Sequence, residues 1–217
     1  MFAAQVWLTG TLMALAYIIG SVPFSYLVAR ANGVDLREVG SGNVGGANVW
    51  RVCGFGPFVL AAAGDIAKGM FPTLTALHLD EWARFVGIHL EHLPPGAVIL
   101  VGVAAILGHT FSIFLNFKGG KAVATSTGVL LAIFPLLIPF GLVAWVVGFL
   151  ITRMSSVGSL TAVVVEMILG TALYIVGQLP LAYAVFIWVM VAFIVYLHRA
   201  NIQRLLAGTE NRFSRPH

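Results

Sequence analysis

Charged residues are scarce in this sequence of 217 residues: Asp, Glu, Lys and Arg together make up 9% of it. A soluble domain carries about 25% charged residues, which form much of its surface. Hydrophobic residues make up 59% of the chain, and they recur in runs of about 20, the length that crosses a bilayer as a helix. The composition therefore excludes a soluble protein and predicts an all-α integral membrane protein.

Cysteine is nearly absent too, and with Cys53 as the single one an intramolecular disulfide is excluded. Acidic and histidine side chains gather in one connector, but their spacing is irregular, so we expect no metal site and no cofactor. These residues are His78, Asp80, Glu81, His89, Glu91 and His92. The first residues lack a basic segment and a small-residue cleavage site, so the apolar stretch 6–29 is expected to be a retained span.

Apolar segments separated by polar loops predict seven transmembrane helices in a single domain over residues 1–217. Their approximate ranges are 5–29, 55–77, 96–114, 122–135, 136–151, 157–176 and 180–197. The fourth is short, and a turn containing Pro135 and Pro139 separates it from the fifth. No internal repeat and no separable soluble domain is visible.

Basic residues are distributed unevenly between the loops on the two sides. One set of loops holds ten of them: Arg30, Arg37, Arg51, Lys118, Lys121, Arg153, Arg199, Arg204, Arg212 and Arg215. The opposite set holds only Arg84, while Lys68 lies inside the second span. Because Lys and Arg are enriched in cytoplasmic loops, we expect the N-terminus outside and the C-terminus in the cytoplasm. The polar segments described next then share the cytoplasmic side, which favours an active site at that surface.

The first polar segment, residues 39–51, is rich in glycine and small polar side chains and ends at Arg51. Glycine permits positive φ and close approach of a ligand, and successive amides in such turns form anion-binding nests. Arg51 offers a fork that binds phosphate through two hydrogen bonds. A plain flexible linker is the alternative. We expect a phosphate site formed with Gly40, Ser41, Gly42, Asn43 and Gly45.

The second polar segment, residues 108–121, ends in a Gly-Gly turn flanked by two lysines. A P-loop is excluded, because Leu115 stands where its first glycine belongs and Ala122 where its Ser or Thr belongs. Free amides at the start of a helix, together with Gly119, Gly120 and Lys121, predict a second anion site. For His109, an interhelical hydrogen bond is the default and a catalytic role the alternative.

Two further polar segments are less distinctive. For Ser155 and Ser156, capping of the sixth span is the default and contact with a ligand the alternative, and Ser159 is a candidate ligand contact. His198 and Asn201 are three residues apart and share a face if the seventh span continues as a helix. A basic tail attracted to anionic lipid is the alternative for that region.

Three charged residues are expected inside the membrane, where charges are costly and often functional. Asp65 and Lys68 are three residues apart and able to pair directly. Glu166 has no such neighbour in the sequence. For all three, support of the site and support of the helix bundle are both open.

Three motifs occur in this order: Gly-Ser-Gly-Asn-x-Gly from Gly40 followed by Arg51, Gly-His-x-Phe-x-x-Phe-x-x-Phe-Lys-Gly-Gly-Lys from Gly108, and His-Arg-x-Asn-Ile-x-Arg-Leu from His198 with Glu210. Together they resemble the integral-membrane acyl-phosphate:glycerol-3-phosphate acyltransferases of bacteria, over essentially the whole chain. One departure is Ala47, where the family usually has threonine.

The resemblance implies an enzyme that transfers a fatty acyl group from acyl phosphate to the 1-hydroxyl of glycerol 3-phosphate, the first acylation of phospholipid synthesis. It implies seven spans in the bacterial inner membrane, contact with membrane lipids and no nucleic acid, and a site on the cytoplasmic side. Carried over by motif, the catalytic residues are Ser41, Arg51, Lys121, His198 and Asn201, with Ser159 as a further substrate contact.

A small organophosphate or anion transporter is the alternative function, since it would share basic loops and intramembrane charges. Transporters usually show an internal repeat or paired broken helices, with polar groups near the middle of the membrane. Here the polar segments gather on one side, which favours an enzyme at the membrane surface.

Overall fold

The computed structural model describes residues 2–213, apart from the side chain of Phe2, and every regular element in that range is helical. Arg215, counted above for orientation, lies outside the described residues. The chain forms two compact units, 1–135 and 136–217. The first contains α1 (Phe2–Ser21), α2 (Phe24–Ala31), α3 (Gly46–Cys53), α4 (Phe55–Leu77), α5 (Leu79–Phe85), α6 (Pro95–Thr110) and α7 (Val123–Ile133). The second contains α8 (Ile138–Thr152), α9 (Ser155–Ile175), α10 (Leu181–Leu197) and α11 (Arg199–Leu206).

Within residues 2–213, four helical segments are long and apolar enough to cross a membrane: Ala3–Ala31, Pro95–Leu115, Pro135–Thr152 and Ser155–Ile175. The pair α10 and α11, bent by 59°, would make a fifth. These five correspond to the first, third, fifth, sixth and seventh predicted spans. The second and fourth predicted spans coincide with α4, which carries two charges, and with α7, whose 11 residues extend only about 16 Å. The structure is therefore a multi-pass helical membrane protein, and the count of seven spans stays a prediction.

The first predicted span is interrupted at Pro23. Proline lacks a backbone N–H and disturbs the preceding helical turn; α1 accordingly ends at Ser21, and α2 begins at Phe24. The carbonyl of Val22 lies in this break and accepts a hydrogen bond from Lys68 Nζ on α4 at 2.7 Å. The break therefore supplies a polar group to the interior of the first unit.

Glycines allow the helices of the first unit to touch backbone to backbone. A Cβ at Gly20 of α1 would overlap the carbonyl of Ala105 on α6, and a Cβ at Gly108 of α6 would overlap the carbonyl of Tyr17 on α1. The contact between α4 and α7 is equally close at Gly128. Small residues at such interfaces are typical of membrane helices, where packing and hydrogen bonds hold helices together. α4 packs against α1, α2, α3, α6 and α7 and is the central helix of this unit.

In the second unit, α9 packs against both α8 and α10. Glu166 of α9 is 8% exposed and faces α8 at Gly141, where a Cβ would overlap the carboxyl oxygen Oε1. Trp188 of α10 donates a hydrogen bond from Nε1 to Thr171 Oγ1 of α9 at 2.8 Å. Large apolar side chains on the outer faces of these helices, Ile151 and Ile168 among them, are well exposed, as lipid-facing residues are.

Gly20→Ala is expected to destabilise the protein by about 1–3 kcal/mol, because the added methyl group meets backbone and cannot be accommodated by rotating a side chain. The measurement is the melting temperature of the purified protein in detergent. Gly10→Ala is the matched control, since a Cβ at this position of α1 meets nothing within 4 Å; it should be neutral or stabilising by up to about 1 kcal/mol. Equal melting temperatures for the two variants would contradict the close contact of α1 and α6.

Candidate active site

The glycine-rich loop before α3 is organised by Asn48. This side chain is 2% exposed, and its Oδ1 accepts a hydrogen bond from the Ser41 amide at 3.0 Å. Its Nδ2 donates to the carbonyls of Leu36 and Val39 at 3.1 and 3.0 Å. Gly40 has a φ of 63° and lies so close to Asn48 Oδ1 that a Cβ would overlap it. One buried amide therefore joins both ends of the loop.

The amides of this loop bond within the loop. Besides Ser41, the amide of Gly42 donates to the Val39 carbonyl, that of Asn43 to Ser41 Oγ, and that of Gly45 to Asn43 Oδ1. Four of the five amides expected to face an anion therefore have partners within the protein, and phosphate binding by this loop stays a prediction. Gly40 and Gly42 do adopt positive φ, whereas Gly45 is extended, with a φ of −100°. Phosphate binding by this loop would depend on its side chains.

Arg51 lies on α3, which aromatic side chains hold against α4. Trp50 stacks on Phe58 with ring centroids 5.0 Å apart and meets the edge of Phe55 at 5.3 Å. Asn48 and Val49 form the buried side of α3, and Arg51 is half-buried. The helix thus fixes the base of the Arg51 side chain relative to α4.

A buried ion pair occupies the interior of the first unit. Lys68 Nζ lies 2.7 Å from Asp65 Oδ1, and the two side chains are 2% and 3% exposed. The hydroxyl of Ser25, on α2, donates to Asp65 Oδ2 at 2.5 Å. His109 Nδ1, on α6, lies 3.6 Å from Asp65 Oδ1. The direct pairing predicted from the sequence is confirmed, and the pair also contacts α2 and α6.

The Gly119–Gly120 turn lies against His109. The Gly119 amide donates to the Thr110 carbonyl at 2.9 Å and the Gly120 amide to the His109 carbonyl at 3.1 Å. A Cβ at Gly120 would overlap Nε2 of the His109 ring, and one at Gly119 would overlap the His109 carbonyl. The expectation of free amides is therefore wrong at these two glycines, which are needed here for close packing.

The first two motifs meet at one small cavity of about 10 Å³, close to the least volume that holds a water molecule. Val44 of the first motif and Gly119 and Gly120 of the second line it. The rest of the lining comes from the α1–α2 break and the buried network: Ser21, Pro23, Ser25, Asp65, Lys68, His109, Ser112 and Leu115. Ser41, Arg51 and Lys121 belong to the same two segments but do not line this cavity, and Lys121 is half-buried.

In the second unit, polar side chains of the third motif and of α9 donate hydrogen bonds to the Glu210 carboxylate. Glu210 Oε1 accepts hydrogen bonds from Asn201 Nδ2 at 2.6 Å and from Ser156 Oγ at 2.9 Å, and Oε2 accepts one from Arg204 Nε at 2.8 Å. Burial by itself raises the pKa of Glu210, but these hydrogen bonds outweigh it and lower the pKa below its ordinary value. Ser156 is thus bonded to Glu210, and the residue that precedes α9, Met154, makes no side-chain cap; the capping predicted for Ser155 and Ser156 is wrong.

His198 lies at the bend between α10 and α11. Its Nδ1 is 2.8 Å from the Ile194 carbonyl, which can only accept, so Nδ1 carries the proton and Nε2 has the lone pair in the neutral ring. The helix turns by 59° at this point, so His198 and Asn201 do not share one continuous helix. Ser159 is buried on α9. The roles of these three residues in substrate binding stay predictions.

Sequence reasoning missed Asn48, whose bonding partners lie 7 to 12 residues away, and Ser25, which is 40 residues from Asp65. Neither spacing has a motif of its own. The available signal for Asn48 was its position three residues before Arg51, in a segment whose pattern is typical of a short amphipathic helix.

These features define a multi-pass helical membrane protein with two glycine-containing motifs around a buried ion pair. Residues 10–208 match the family model described as glycerol-3-phosphate acyltransferase. The chain belongs to that family.

Relatives of known name support the same membership. The chain is 57% identical over 204 residues to a glycerol-3-phosphate acyltransferase of Roseiflexus sp. strain RS-1, covering 94% of this chain and 95% of the relative. It is 43% identical to one from Thermus thermophilus, with 96% and 95% covered. Among solved structures it is similar to PlsY (YgiH), an integral membrane glycerol 3-phosphate acyltransferase in its glycerol 3-phosphate form. That match has a TM-score of 0.80 and 38% identity over 95% of this chain and 96% of the other.

Asn48→Asp is expected to loosen the loop, because the new carboxylate faces the Leu36 and Val39 carbonyls that the amide nitrogen now satisfies. Each buried group left without a partner costs about 1–3 kcal/mol. The measurement is amide hydrogen exchange of segment 36–45, which should become faster. Asn32→Asp makes the same change at an exposed position and should leave that segment unchanged. Equal exchange in both variants would argue against Asn48 as the organiser.

Glu210 is expected to make stability depend on pH at the acidic end. Its folded pKa is lowered from an ordinary value of 4.5, so its contribution is complete at neutral pH and is lost as pH falls through the lower, folded pKa. The melting temperature of wild type should therefore fall more steeply below pH 4.5 than that of Glu210→Gln. Glu38→Gln, the same change at an exposed residue, should follow wild type. Parallel curves for wild type and Glu210→Gln would contradict this.

Proposed function

We propose that this chain transfers a fatty acyl group from acyl phosphate to the 1-hydroxyl of glycerol 3-phosphate, giving 1-acylglycerol 3-phosphate and inorganic phosphate. The observation that carries the proposal is the similarity to PlsY over 95% of the chain. That protein has been solved in forms named for glycerol 3-phosphate and for lysophosphatidic acid, which are the acceptor and the product of such a transfer. The acyl phosphate donor follows from the motif resemblance.

In the proposed reaction the acceptor hydroxyl attacks the acyl carbonyl, a new ester C–O bond forms, and the bond from the carbonyl carbon to the phosphate oxygen breaks. The hydroxyl proton ends on the departing phosphate, so atoms and charge balance without a further reactant. Phosphate is already a good leaving group, and much of the rate then comes from holding the two substrates together. Cationic side chains stabilise the charge that develops on the carbonyl oxygen and the phosphate.

The side chains proposed for phosphate binding in the first unit are Ser41, Arg51 and Lys121. Arg51 can form two parallel hydrogen bonds with a phosphate. The loop of residues 40–45 is assigned to the acyl phosphate, and Arg51 at the end of that segment is available to glycerol 3-phosphate. Because both substrates carry a phosphate and two anion sites are needed, we assign the second site, which ends at Lys121, to glycerol 3-phosphate. Asn43 has a side-chain amide that can add to the first site; Gly40, Gly42, Gly45, Gly119 and Gly120 contribute by shaping the two segments.

In the second unit the resemblance assigns roles to His198, Asn201 and Ser159. If the reaction used a general base from the protein, His198 would be the candidate, with Nε2 as the nitrogen that accepts the proton. Because the donor phosphate can take the proton itself, we propose a substrate-assisted reaction in which His198 is not the base. A pH–rate profile that loses its acidic limb in His198→Ala would overturn that assignment.

The proposed enzyme has seven spans with its N-terminus outside, in the bacterial inner membrane, and works on the cytoplasmic side. The distribution of ten basic residues against one between the two sets of loops supports this orientation. The acyl chain of the donor would lie among the helices and lipids, where each buried methylene contributes about 0.8 kcal/mol. The family match to residues 10–208 extends over both units, which supports a single enzyme.

The proposed function is tested with purified protein in detergent, supplied with acyl phosphate and glycerol 3-phosphate. Phosphate and 1-acylglycerol 3-phosphate should form in equal amounts, and a chelator should not change the rate. Arg51→Ala is expected to lower kcat/KM by about 10²–10³-fold. Arg37→Ala removes the same charge from an exposed arginine paired with Asp35 and should remain close to wild type. Uptake of glycerol 3-phosphate into liposomes without phosphate release would instead indicate a transporter.

A further inference from the structure

The buried Asp65–Lys68 pair has no evident purpose as a source of stability. Both side chains are almost fully buried, and removing two charges from water offsets most of their attraction. Well-packed apolar residues at such positions are often as stabilising as an ion pair or more so. A network that contributes little net stability and still joins polar and charged residues of several helices calls for another explanation.

The contacts of the pair lead towards the second glycine motif. Asp65 contacts His109 on one side of the imidazole, through Nδ1 at 3.6 Å. On the other side, Nε2 of the same ring borders Gly120 so closely that no side chain fits between them. The His109 carbonyl accepts the Gly120 amide at 3.1 Å. His109 therefore touches the glycine turn through both its ring and its backbone, and it touches the ion pair through its ring.

The turn that His109 supports is held in an unfavourable backbone conformation. Asn116, Phe117 and Ala122 all have positive φ, at 51°, 60° and 68°, and Ala122 is fully buried. Such conformations cost about 1–3 kcal/mol each and persist only where the surroundings enforce them. Lys121 lies between Gly120 and Ala122, so the support that enforces this backbone also sets where its side chain starts.

We propose that Asp65, Lys68 and His109 are positioning residues for the Gly119–Gly120–Lys121 turn. Lys68 and Ser25 hold the Asp65 carboxylate, the carboxylate holds the His109 ring, and the ring supports the turn. This inference rests on the proposed function where it concerns catalysis, because Lys121 is there assigned to the phosphate of glycerol 3-phosphate. Loss of the network should therefore weaken binding of that substrate more than binding of acyl phosphate.

The test compares Asp65→Asn with the double variant Asp65→Asn/Lys68→Met in the full-length protein in detergent. The single variant leaves a buried lysine unpaired and should lower the melting temperature. The double variant removes both charges and should recover most of that loss. If the network positions the turn, KM for glycerol 3-phosphate should stay raised by about tenfold in the double variant, with KM for acyl phosphate little changed. Amide exchange of segment 116–122 in the absence of substrate should stay faster than in wild type.

Recovery of both KM and amide exchange together with the melting temperature would overturn the proposal, because the pair would then serve the bundle alone. Thr73→Val is the control: it removes another buried polar group of α4, whose hydroxyl donates to the Gly69 carbonyl of the same helix, and it should alter neither readout. If the double variant does not fold, His109→Gln decides by the same two measurements. A wild-type protein that is inactive with acyl phosphate would refute the proposed function. Amide exchange of segment 116–122 does not depend on catalysis, so it would still decide whether the network positions the turn.

Discussion

Two opposite charges in the interior of the first unit, Asp65 and Lys68, constrain the structure around them. A buried charge is tolerated only when it is paired and its remaining hydrogen-bonding groups are satisfied. Here the hydrogen-bond partners come from the ends of other helices: the Val22 carbonyl from the break after α1 and the Ser25 hydroxyl from the first turn of α2. His109 in the last turn of α6 adds a longer contact, with Nδ1 3.6 Å from Asp65 Oδ1. One ion pair thus joins three helix ends beside α4, including the break that Pro23 produces between α1 and α2.

The two glycine motifs have a role that differs from the one their composition suggests. Glycine-rich segments followed by a basic residue are typical of loops whose amides surround a phosphate. In this protein the amides of Ser41 and Gly45 bond to Asn48 and Asn43, and those of the Gly119–Gly120 turn bond to carbonyls at the end of α6. Gly40, Gly119 and Gly120 are needed because Asn48 and His109 leave no space for a side chain there. These amide bonds therefore fix the backbone of the two segments, which carry the side chains proposed to bind phosphate.

Much of the fold could be predicted from the sequence, because hydrophobic runs of membrane length have one common solution. Five of the predicted spans have counterparts among the helices able to cross a membrane, counting the bent α10–α11 pair. The other two predicted spans coincide with α4, which contains the charged residues Asp65 and Lys68, and with α7, which has 11 residues and begins only after Ala122. The pairing of Asp65 with Lys68 was visible as a spacing of three. The contacts of Asn48 and Ser25 could not be predicted, because tertiary contacts between distant residues leave no periodic pattern in the sequence.

A rigid polar network is well matched to the proposed chemistry. The donor phosphate is a good leaving group and able to accept the proton, so the reaction asks little of a general base and much of substrate orientation. Orientation by a mobile loop would lose much of that benefit, since a displacement of about 1 Å can cost about 100-fold in rate. Helix ends joined by buried hydrogen bonds are stiffer than loops, and a low-dielectric interior strengthens those bonds. In the proposed role, the buried Asp65–Lys68 pair fixes the turn that carries Lys121, where Asn116, Phe117 and Ala122 are held at positive φ and persist because the surroundings enforce that backbone.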